Sequence, residues 1–168
     1  MTDLLLALAF VALLVFYVTW TAGRLDRLHA RVDAAEAALD AALVRRAAAA
    51  RAVAAHLPPG GQADRLSKAA DAALEAGEAD REQVENDLSG ALRHTRLDLA
   101  PRPVLAELET ATTRVLLARS FHNAAVADTR VIRLRRIPRA LRLAGHRSLP
   151  QFFEIDDTYD TDPRPTPE

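Results

Sequence analysis

Cysteine is missing from the 168 residues, which removes disulfides, thiolate metal ligands and cysteine nucleophiles together. Aromatic residues make up only 5% of the chain, and much of its 49% hydrophobic content is alanine. Alanine has the best helix propensity and little to bury on a pleated face, so a β architecture is disfavoured and an all-α fold expected. Neither sign of charge dominates. The net charge is -1, so the overall balance argues against nucleic acid as a partner. Lys68 is the only lysine, and the remaining bases are arginines.

What the chain does have is an uncharged run from Leu4 to Gly23, LLLALAFVALLVFYVTWTAG. As a helix it spans about 30 Å, the thickness of a bilayer's hydrocarbon core. Tyr17 and Trp20 lie toward its C-terminal end, where amphipathic rings favour the headgroup level. Met1, Thr2 and Asp3 precede it without a basic residue, unlike the basic start of a cleaved signal peptide. Arg24, Arg27 and Arg31 follow it, and the excess of arginine on that side predicts a cytoplasmic domain with a short N-terminus outside. Residues 1–23 are therefore read as a single-pass anchor in the cell membrane, with the lipid bilayer as partner of residues 4–23.

The helical rhythm continues past the span. Leu25, Leu28, Val32, Ala35, Leu39 and Ala42 recur at steps of three and four, Arg46 interrupts, and Ala49, Val53 and Leu57 resume. PPGG, Pro58 to Gly61, ends this first helix. A second long helix is expected from about Gln62 to Thr95, kinked at EAGEADRE around Gly77. LDLAPRP, Leu97 to Pro103, forms the next connection, and a third helix is expected from about Val104 to Arg136. Three helices of about 50 Å each, joined by short turns, predict an antiparallel up-down bundle over residues 24–155. After Pro138, RALRLAGH predicts a short C-terminal helix, and Phe152, Phe153 and Ile155 offer apolar surface to dock back on the bundle. Residues 156–168 are polar and proline-rich, the composition of a disordered tail.

Within the third helix, LARSFHNAAVADT resembles the signature of the LemA family of membrane-anchored helical proteins. Arg119 and Asn123 match it, and His122 stands at the family's tyrosine. Arg31 to Arg46, ending in paired arginines, is similar to the family's first-helix segment, and Phe152 to Glu154 to its C-terminal aromatic pair and glutamate. The chain thus resembles a divergent LemA member over most of residues 1–155. The resemblance implies a long-helix bundle on a single cytoplasmic-facing anchor with no established enzymatic activity.

Candidate sites are few. His29, His56, His94, His122 and His146 are scattered, and none forms a two-histidine metal motif. Asp26, His29, Asp33 and Glu36 share a helix face, which reads as solvated charge rather than a metal site. No cofactor and no catalytic set is expected. Arg119, His122 and Asn123 are expected to bond across to a neighbouring helix and set its register, because an unpaired buried amide costs about 1–3 kcal/mol. Arg130, Arg133, Arg135, Arg136, Arg139, Arg142 and Arg147 form a basic run with no acid between Thr129 and Phe153. In a three-pass bundle this run lies at the end far from the membrane, where it would meet the acidic tail or a protein partner. The resulting expectation is a non-catalytic scaffold or adaptor that holds an unidentified cytoplasmic or membrane protein and is open to self-association. The rival is a structural coiled-coil component of a cell-envelope or division complex.

Overall fold

A computed structural model describes residues 1–134 and 148–155. The expected short helix after Pro138, the arginines at 135, 136, 139, 142 and 147, and the tail 156–168 lie outside the described residues. All regular structure in the described residues is helical: α1 (Thr2–His56), α2 (Gly61–Glu75), α3 (Arg81–Arg93) and α4 (Arg102–Arg133), with 3-10 turns at Glu78–Asp80 and Leu97–Leu99.

α1 runs 55 residues without interruption, because Gly23 is its one weak helix former and no proline occurs before Pro58. Past Pro58 and Pro59 the chain reverses at Gly60, whose φ of 150° belongs to a region that essentially only glycine occupies. α4 tolerates Pro103 because it lies in the first turn, where the missing N–H has no intrahelical acceptor to lose.

The expected second long helix is two helices. α2 stops at Glu75, Ala76 and Gly77 are extended, and α3 begins at Arg81. Glu75, Glu78 and Glu82 would stand three and four residues apart on one face of a continuing helix and repel one another, which weakens it here, whereas Asp80 and Glu82 favour the start of a new one. The new helix doubles back. Arg81 Nη1 donates to the Ala73 carbonyl at 2.9 Å across the turn, and the Arg96 amide donates to Gln62 Oε1 at 3.3 Å at the opposite end. α2 and α3 therefore pack as a hairpin, burying Ala63, Leu66, Ala70 and Ala73 from one side and Glu85, Leu88, Ser89 and Leu92 from the other.

The chain divides into two compact units. The first unit holds Met1–Ala37 and the described residues of Ser120–Phe152; the second holds Ala38–Arg119 and those from Phe153 onward. In the first unit, Val32 packs with Ala125 and Val126, with Ala35 against them. Arg31 pairs with Asp128 at 3.2 Å, but both side chains are more than half exposed, so the pair contributes about 0–1 kcal/mol. In the second unit the core runs from Ala47 to Ala54 on α1 and Leu57 just beyond it, through Leu66, Ala70, Leu88 and Leu92, to Leu108 and Ala111. A smaller cluster joins Leu39, Leu43 and Val115 to Ile155. The alanines let helices approach closely, and each buried Leu or Val contributes about 1.5–3 kcal/mol.

Gly60 and its neighbour separate backbone strain from lost space, since a Cβ at either position meets nothing within 4 Å. Gly60→Ala is expected to cost about 1–3 kcal/mol through its backbone angle alone. Gly61→Ala, at the start of α2 with ordinary φ, should change stability by less than about 1 kcal/mol. Denaturant titration of both variants in detergent, followed by helical circular dichroism, measures the difference.

Candidate functional site

The most distinctive chemistry lies inside the second unit. Arg46 occupies an inward position of α1 and Glu85 an inward position of α3, and both side chains are 0% exposed. Arg46 Nη2 donates to Glu85 Oε2 and, at 3.3 Å, to the Glu85 carbonyl. Its Nη1 reaches Ser89 Oγ at 3.4 Å. Ser89 in turn donates back along its own helix to the Glu85 carbonyl at 2.9 Å, so the hydroxyl is spent on holding the pair. A second contact runs beside it, Arg81 Nη2 to Asp40 Oδ1 at 2.8 Å, joining the start of α3 to α1. Arg51 and Asp71 join α1 to α2 at 3.1 Å on the surface.

Burial pushes the Glu85 carboxyl above its ordinary value, against the opposing pull of the Arg46 charge and hydrogen bond. Its Oε1 has no hydrogen-bond partner among the described residues. Both side chains are sealed from solvent, and the pair ties α1 to α3. Arg46 looks in the sequence like an interruption of the apolar stripe, and Glu85 draws no notice there. The readable signal was that opposite charges occupy inward positions on two separate helices.

The second constellation is the stretch around His122. His122 is buried as its place on the stripe predicts, and Asn123 is half-buried beside it. In the first unit, His122 Nε2 lies 3.2 Å from the Gln151 carbonyl, which accepts only, so Nε2 carries the proton. Arg130 Nη1 reaches the Pro150 carbonyl at 3.4 Å with its guanidinium 5.2 Å from the Phe152 ring, and Arg133 donates to the Ser148 carbonyl. In the second unit, Arg119 Nη1 donates to the Ile155 carbonyl at 2.8 Å. These contacts are made with the C-terminal segment. Helix carbonyls are already taken by their own i+4 amides, whereas the irregular 148–155 stretch leaves its carbonyls open to donors. The Glu154 amide is fixed from the other direction by Glu82 Oε1 at 2.9 Å.

Asp26, Asp33 and Glu36 are exposed while His29 is buried, so the four do not converge. Among the described residues no group of three or more His, Asp or Glu side chains gathers to hold a metal.

Removing either partner of the buried pair strands the other's charge. Arg46→Met or Glu85→Leu alone is expected to destabilise by about 3–5 kcal/mol, while the double variant should return close to the parent. A double-mutant cycle from urea denaturation in detergent measures this. The proton linkage has a definite sign. Because the folded carboxyl holds its proton more tightly than the unfolded one, whose ordinary value is 4.5, its contribution to stability falls as pH rises from that value through the raised one. Above the raised value it is flat. The difference in urea midpoint between parent and Glu85→Gln, followed upward from about pH 4, should carry this slope.

Compared with protein-family models, with curated proteins and with solved structures, the chain matches none.

Proposed function

We propose that the chain is a single-span membrane protein of the LemA kind, whose helical domain faces the cytoplasm and serves as a non-catalytic scaffold. One observation carries the anchor. The first third of α1 is apolar, and its large side chains stand open: Leu4, Phe10, Leu13 and Phe16 are each 66–67% exposed. An uncovered apolar helix of this length suits lipid far better than water. The same helix, α1, continues without a break to His56.

Within the second unit we read the four passes of α1, α2, α3 and α4 as an up-down bundle closed by the α2–α3 hairpin. Scaffolding is supported by apolar side chains that α4 keeps on its outer surface. Leu117 is 56% exposed in the second unit, and Phe121 and Val131 are 64% and 61% exposed in the first. These are surfaces for a protein partner or a second copy.

The lack of native cysteine makes orientation directly measurable. The protein should stay in the membrane pellet after alkaline carbonate extraction. A thiol placed at Thr2→Cys should react with impermeant maleimide in intact cells, and one at exposed Ala55→Cys only after lysis. Release by carbonate would overturn the anchor; the reverse labelling pattern would overturn the cytoplasmic domain.

A further inference from the structure

We propose that the C-terminal end of α4, with Arg24 and Arg27 of α1, forms a binding surface for anionic lipid headgroups. This rests on the membrane-anchor reading and goes beyond it, because it assigns a lipid contact to a helix far from the span in sequence. All the residues concerned belong to the first unit.

The pairing of α1 and α4 supplies the geometry. Arg31 bonds Asp128, and Val32 and Ala35 pack with Ala125 and Val126, so α4 descends as α1 rises. Counting five residues along each helix from the Arg31–Asp128 pair brings Arg133 level with Asp26. That level is about 4.5 Å of helix rise from Gly23, where the apolar run ends. Arg133 therefore lies within the Debye length of about 8 Å from the headgroup layer. The α1 face is covered there too, since Leu25 and Thr21 are buried. Within the first unit this antiparallel pairing sets the C-terminal end of α4 on the anchor side, whereas a three-pass arrangement would put it at the far end.

The chemistry at this end fits a bilayer surface. Arg24 and Arg27 are exposed, and Arg24 lies 5.8 Å over the ring of Trp20, the residue suited to the interface. The contacts of Arg130 to the Pro150 carbonyl and the Phe152 ring are with uncharged groups, which leaves its positive charge in place. The sequence holds no Asp or Glu from Thr129 to Phe153 to cancel it. Between these bases, Val131, Leu134, Leu149 and Phe152 point outward, 61%, 56%, 42% and 42% exposed. Basic and apolar side chains together on one exposed end are what an interfacial contact uses, the first for phosphate and the second for the acyl boundary.

The test uses the full chain with a single environment-sensitive fluorophore at Leu149→Cys, reconstituted into vesicles of phosphatidylcholine alone or with phosphatidylglycerol. A label at Ala55→Cys, about 48 Å along α1 from Gly23, is the control. Phosphatidylglycerol should blue-shift the 149 label and expose it to quenching by interface-labelled lipid, leaving the 55 label unchanged. High salt should reverse the effect. Arg133→Gln should reduce the surface-bound population about fivefold, and Arg133→Lys, which keeps the charge but not the guanidinium fork, should retain it. Equal emission at 149 in both vesicle types, with the protein still resistant to carbonate, overturns the inference and leaves the anchor standing. Failure to enter either vesicle overturns both. A shift caused by inorganic phosphate in phosphatidylcholine vesicles would assign the site to a soluble anion and overturn the lipid assignment. So would a lipid response that appears only after residues 156–168 are deleted, since those acids would then occupy the site in the intact chain.

Discussion

The buried ion pair between Arg46 and Glu85 constrains the second unit more than any apolar contact does. Alanine seams tolerate sliding, because one small side chain packs much like the next a turn away. A guanidinium and a carboxylate with no access to water tolerate none: moving α3 by a single turn strands two charges at once. Burial costs the pair much of its Coulombic gain, so its contribution is to select one register among helix pairings that the alanines would otherwise permit. Ser89 and the Glu85 carbonyl each accept a further hydrogen bond from the arginine, which ties the pair to α3.

The C-terminal segment is held by a related device. Residues 148–155 contain no helix to satisfy their carbonyls, and Arg119, His122, Arg130 and Arg133 supply donors to four of them. Ile155 then adds a buried apolar contact beside Leu39 and Val115. These polar residues of α4 thus act as donors for an irregular strap. This accounts for the placement of charged and imidazole groups on a helix whose other inward positions are alanine and valine.

The sequence by itself determined the helical class, the uncharged run and the turn at PPGG, because each depends on neighbours a few residues apart: alanine content, absence of charge, and backbone angles open to proline and glycine. It also placed His122 inward, since helical periodicity alone does that. Tertiary structure decided the rest. EAGEADRE reads locally as a weak helix, and whether it bends or reverses depends on whether Leu66 and Leu88 gain more by facing each other than by continuing in line. Arg46 reads as an interruption of the apolar stripe until Glu85, 39 residues away, meets it inside the core. The partners of Arg119 and His122 lie 36 and 29 residues further along the chain. No local pattern marks which carbonyls remain open, because that depends on where helix ends and the strap begins in space.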